Sequence, residues 1–182
     1  MRLFSLLTAL LMLSACVAPS VAPRSYLDEE TAATVTMVEQ PWIFFTAEVV
    51  AFAAKERDYM SLFALDVNRQ GSHQQYLAIL VSNPPDAAAT NAPTLQLQGG
   101  GLSVSLQPTT ATLRELGLSK PPAQSYSAVA RWWYFPVGKD IFANIVRSAD
   151  LTTALDVAGR RVTFSTWRDG SADVDKLNAA LP

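Results

Sequence analysis

Thr94-Leu95-Gln96-Leu97-Gln98-Gly99-Gly100-Gly101-Leu102-Ser103-Val104-Ser105-Leu106-Gln107 alternates aliphatic and polar residues on both sides of three consecutive glycines. A strand turns successive side chains to opposite faces, so each arm buries one face and wets the other. The glycines supply the positive φ that a tight hairpin needs. A glycine run can also cradle phosphate, but only where a helix N-terminus follows it, and here a strand follows.

Working outward, Tyr59–Asn68 puts Tyr59, Phe63, Leu65 and Val67 on one face, and Gln70-Gly71-Ser72-His73 turns the chain into Gln75–Ser82. Tyr76–Val81 is apolar throughout, the pattern of a central strand covered on both faces. Leu151–Val157 and Arg161–Trp167 flank Ala158-Gly159-Arg160 as another hairpin, and Thr34–Val38, Trp42–Glu48 and Ser125–Phe135 complete about nine strands. That many strands need a sandwich or barrel rather than one open sheet. The expected fold is mainly β: an antiparallel β-sandwich or barrel-like domain with one or two short covering helices. One helix is expected between Gly138 and Ser148, where Ile141, Phe142, Ile145 and Val146 recur at helical spacing behind Asp140. The other runs from Ser171 to Ala180, with Ser171 as its cap and Val174, Leu177 and Leu181 as its stripe.

The N-terminus is of another kind. Arg2 is a short positive start, Leu3–Leu13 is almost wholly apolar, and Leu13-Ser14-Ala15-Cys16 sets small residues before a cysteine. This is the layout of a secretory signal, and the apolar run is too short to span a bilayer. Leu13-Ser14-Ala15-Cys16 resembles the lipobox of bacterial lipoproteins. The resemblance implies that Cys16 is diacylated, freed by a dedicated peptidase and acylated again on its new amino group, with palmitate-like chains as the anchor. Two or more acyl chains hold a protein firmly at a membrane where one does not. Val17 is not the aspartate that retains many such proteins at the inner membrane, so the resemblance implies the periplasmic face of the outer membrane. The leader followed by a compact β-rich body is similar to many envelope lipoproteins.

The expected organisation is a signal peptide over 1–15, a lipidated N-terminus and tether over 16–31, and one β-rich domain over 32–182. Two prolines, small residues and Asp28-Glu29-Glu30 give the tether little apolar surface to bury, and three adjacent carboxylates read as a solvated face rather than a cation loop with its spaced ligands. Fully extended, the tether would reach at most roughly 50 Å. Cys16 is the sole cysteine, so the exported body has no disulfide and no thiolate metal site. Without Arg2 the body carries 13 basic and 16 acidic residues, which does not suggest nucleic acid as a partner.

Catalytic signals are weak. His73, the only histidine, falls in an expected turn as a solvent-exposed bystander, and no Gly-x-Ser-x-Gly elbow, His-Glu-x-x-His or phosphate-loop pattern occurs. No enzyme, cofactor or metal is expected, although paired carboxylates acting on cell-wall glycan would leave no motif. Arg131-Trp132-Trp133-Tyr134-Phe135 is the unusual segment, because consecutive aromatics on a strand must face both ways. Either Trp132 and Tyr134 face outward with Arg131 as a contact surface for an envelope protein or glycan, or the strand is buried on both sides. The expected function is a non-catalytic interaction or assembly module, with a carrier for a lipid or other apolar ligand as the alternative.

Overall fold

The computed structural model describes residues 21–46, 58–84, 92–125, 127–148 and 150–182, with the Val146 side chain also outside the description. The leader, Cys16 and most of the 83–93 connection lie outside the described residues. Ten strands and three helices follow one another in the order β1 (Arg24–Asp28), β2 (Ala33–Met37), β3 (Trp42–Thr46), β4 (Tyr59–Arg69), β5 (Ser72–Val81), β6 (Thr94–Gly99), β7 (Leu102–Leu106), α1 (Leu113–Leu116), β8 (Arg131–Val137), α2 (Lys139–Arg147), β9 (Thr152–Val157), β10 (Arg160–Arg168) and α3 (Ser171–Ala180). The domain is mainly antiparallel β, sandwich-like and not closed into a barrel.

The strands form one branched sheet in the order β1-β2-β4-β3-β10-β9-β6-β7, with β5 on the other side of β4 and β8 beyond it. The glycine hairpin behaves as its residues require. Gly99 pairs with Leu102, and Gly100 and Gly101 turn with φ of 53° and 89°, the sign pattern of a two-residue type I′ turn. Strand β4 is long enough to serve two partners along one edge: Leu65–Asn68 pair with β2, and Tyr59–Leu62 with β3.

Register sorts the side chains onto two faces. Leu62, Leu77, Ile79, Phe135, Phe44, Phe164, Leu155, Leu95 and Leu97 share one face, and each is almost completely buried. Helix α3 packs against α2 and β4, and Gly170 before it lies against the Trp42 ring, where an added Cβ would meet Trp42 at 3.0 Å. On the other face β6, β9 and β10 are wet, with Gln98 and Thr163 exposed, but β4, β5 and β8 carry a second apolar field of Phe63, Leu65, Val67, Ala78 and Tyr134. The buried Leu116 and Leu118 flank Gly117, which lies against this field at Val67. Gly117 ends α1 with φ of 88°, and a Cβ there would stand 2.7 Å from Val67 Cγ1.

Three expectations need correction. Residues 24–28 are a strand, not tether: Arg24–Asp28 pair with Ala33–Met37, because Asp28 fastens the following turn to the body. Its carboxylate accepts from Ser119 N–H and Oγ, both at 2.7 Å, and from the N–H groups of Glu30 and Thr31. The strand expected over Ser125–Phe135 begins at Arg131, since the chain turns just before it with Ala130 N–H donating to Ser127 C=O. Ser171 does not cap α3. Gly170 is the cap residue, and Asp169 takes the side-chain role, accepting from Ser171 N–H at 2.8 Å and from Trp42 Nε1 at 2.7 Å. Helix α1 was not expected at all, although Thr112 and Glu115 form a reciprocal capping box around its start.

Candidate functional site

The aromatic strand β8 hangs on β5 with Trp132 opposite Leu80 and Tyr134 opposite Ala78, so Trp132 and Tyr134 do share a face, away from Trp133 and Phe135. Their rings stack with centroids 6.1 Å apart, and Phe63 meets Trp132 at 5.6 Å. Tyr134 on this face and Phe135 on the opposite one are both buried, so the centre of the strand is covered on both sides. Tyr134 is 8% exposed, and its hydroxyl and Trp132 Nε1 are buried without a hydrogen-bond partner among the described residues. Burial, with the nearby charge of Tyr26 adding, pushes the Tyr134 hydroxyl well above the ordinary tyrosine range. Tyr134 is therefore a core residue rather than an outward contact, which corrects that part of the expected Arg131, Trp132 and Tyr134 surface. Arg131 stands exposed at the strand start and Trp132 is half-buried.

The exposed aromatic surface lies elsewhere. Trp167 is 61% exposed and meets the half-buried Phe45 edge-on at 5.7 Å, and Tyr59, 40% exposed, faces Phe45 across the β3–β4 register. A register irregularity between Thr166 and Arg168 brings Trp167 out of the ladder. The sequence carried a signal for it: in Val162-Thr163-Phe164-Ser165-Thr166-Trp167, alternation from the buried Phe164 leaves Trp167 on the wet face. Next to it, Arg168 reaches to 3.9 Å from the buried carboxylate of Asp173, which also accepts the Val21 N–H at 2.9 Å.

His73 is not a turn bystander. It belongs to β5, and its Nδ1 lies 2.8 Å from Oδ2 of Asp66, a carboxylate 1% exposed whose other oxygen accepts from Gln75 Nε2 at 2.7 Å. The trio joins the paired ends of β4 and β5, where it satisfies a buried charge. Among the described residues no three metal-binding side chains stand together, and no helix is long and apolar enough to cross a membrane.

Two depressions deserve description because an apolar ligand would need one. The first, about 560 Å³, is open and bordered by Glu30, Thr31, Arg69, Gln70 and Arg114, with the Arg69 guanidinium donating to the Arg114 carbonyl. The second, about 430 Å³, lies along β7 and the outward side of α2. No protein-family model, curated protein or solved structure matches the chain, so a functional reading rests on these residues and their geometry.

Proposed function

We propose that the chain is a lipoprotein anchored through Cys16 and serves as a non-catalytic interaction or assembly module on the periplasmic face of the outer membrane. The observation that carries the reading is the shortness of the link between lipobox and body. Val21 is already bonded to Asp173, and five residue steps from Cys16 to Val21 reach at most roughly 18 Å. Such a link would hold the body against the lipid surface. It would also fix which side faces the membrane, since Asp173 contacts both Val21 and Arg168, the neighbour of the exposed Trp167. Indole rings settle at the headgroup level of bilayers. The carrier reading calls for a mostly apolar, enclosing pocket. The 560 Å³ depression is open and bordered mainly by charged and amide side chains, and the 430 Å³ one, though partly apolar, is an open trough rather than an enclosure, which favours the interaction reading.

The test uses the full chain expressed in a Gram-negative host. It should sediment with outer membranes on a density gradient, and in vesicles of brominated phosphatidylcholine its indole emission should contain a quenched component that Trp167→Phe removes. Recovery in the soluble periplasmic fraction would overturn the reading; membrane recovery without Trp167 quenching would overturn only the orientation.

A further inference from the structure

The sheet has three free edges among the described residues, β1, β7 and β8. Natural sheets protect such edges with charge, proline or a covering segment, because an open row of N–H and C=O groups pairs with any extended chain. Strand β1 carries Arg24 and Asp28. Strand β8 carries Pro136, and its Tyr134 carbonyl is taken by Thr109 N–H at 2.8 Å. Strand β7, Leu102-Ser103-Val104-Ser105-Leu106, has no charge, no proline and no partner but β6 among the described residues.

Its geometry says which groups are open. A two-residue hairpin makes the pair flanking the turn, Gly99 and Leu102, a hydrogen-bonded one, and bonded pairs then alternate along the ladder. Leu102, Val104 and Leu106 therefore direct their backbone groups to β6, and Ser103 and Ser105 direct theirs away from the sheet. Beside this edge runs the depression of about 430 Å³, bordered by Leu102 and Val104 from β7 and by Ile141, Asn144 and Arg147 from α2. Leu102, Val104 and Ile141 are each only half-buried. Arg147 is exposed and forms no ion pair among the described residues.

We propose that β7 and α2 form a docking groove for an extended peptide segment of a partner protein, which joins the sheet as an added strand. A strand edge beside a helix recognises backbone through the edge and alternate side chains through the groove. The residues of the segment that turn toward α2 are apolar, since they meet Leu102, Val104 and Ile141, and their neighbours are polar. An acidic side chain or a terminal carboxylate pairs with Arg147. This deepens the interaction reading by naming the partner's chemistry, and it rests on that reading. The groove uses nothing before Arg24, so failure of lipidation at Cys16 and failure of the groove are separately visible.

The experiment selects binders from a library of random linear peptides against the full chain held on a support through a C-terminal tag, whether or not Cys16 carries lipid. Selected peptides should alternate apolar and polar residues and carry an acidic group, and Arg147→Glu should change the selected charge from acidic to basic. Ser105→Pro removes one outward N–H from an edge position where proline is tolerated; it should weaken the best peptide by roughly tenfold or more and leave the melting temperature unchanged. Ser105→Ala, which keeps the backbone donor, should bind as the parent does. Absence of enrichment, selected peptides without alternation, or full-strength binding to a folded Ser105→Pro chain would each overturn the proposal. So would a concentration-dependent dimer that Ser105→Pro dissolves, which would make a second copy the occupant of the edge.

Discussion

Replacing Asp28 by alanine should cost about 3 kcal/mol of stability, although the residue belongs to a segment whose composition reads as tether. Asp28 is 4% exposed, and its carboxylate accepts four bonds, two from Ser119 and one each from the N–H groups of Glu30 and Thr31. Glu30 and Ser119 are exposed and Thr31 half-buried, so water satisfies the four donors once the carboxylate is gone, and the cost is that of the lost bonds themselves, the two short ones from Ser119 foremost. A hydrogen bond to a charged group contributes about 1.5–3 kcal/mol, so the two short bonds from Ser119 together account for about 3 kcal/mol once water has taken their place. Asp28→Asn keeps the shape but turns an amide donor toward other donors, so about 2 kcal/mol is expected. In urea, with a slope of about 2 kcal/mol/M, alanine should move the midpoint down by about 1.5 M. Acid adds a second reading. Burial raises the carboxyl, but the bonds from Ser119 and Thr31 outweigh it and hold its folded pKa below the ordinary value. The stability that follows is complete above about pH 4 and is lost as pH falls through the lowered folded value, so Asp28→Asn should flatten the acid limb of the stability curve. Midpoints within 0.3 M of the parent for both variants would refute the assignment of residues 24–28 to the sheet.

Gly117→Ala places a Cβ 2.7 Å from Val67 Cγ1 at a φ of 88°; a loss of about 2–3 kcal/mol should lower the calorimetric melting temperature by roughly 6–8 °C. His73→Ala removes one of the two described side-chain partners of the buried Asp66 carboxylate and should cost about 2 kcal/mol in urea at neutral pH, whereas an exposed bystander would cost nothing measurable. Trp132→Ala empties the stack between Phe63 and Tyr134 and should cost about 3 kcal/mol; Trp167→Ala, at an exposed site, should stay within about 1 kcal/mol. Thermal melts of that pair in which Trp167→Ala is the more damaging would reverse the roles assigned to the two indoles.

Alternation made most of the sheet readable, because a strand's period is fixed by its backbone and needs no knowledge of the partner. The β6–β7 hairpin and the β4–β5 pair are of this kind. What the sequence concealed depends on residues far apart in the chain. Arg24-Ser25-Tyr26-Leu27-Asp28 shows no clean pattern, and Asp28 becomes structural only through Ser119, 91 positions later. For β8 the parity was legible and the cover was not. Trp132 and Tyr134 fall on one face as alternation requires, but that Tyr134 is dry there depends on packing between strands far apart in the chain, Phe63 on Trp132 among it. Trp167 was within reach of the same parity rule applied from Phe164. The open edge of β7 was not, since the absence of a neighbour is a property of the assembled sheet.

The proposed membrane anchor is the premise from which location and orientation follow, and radiolabelled palmitate fed to cells producing the full chain examines it without intermediaries. Label should enter the parent chain and be absent from Cys16→Ser. A parent chain that takes up none, or a serine variant labelled to the same extent, would contradict the account.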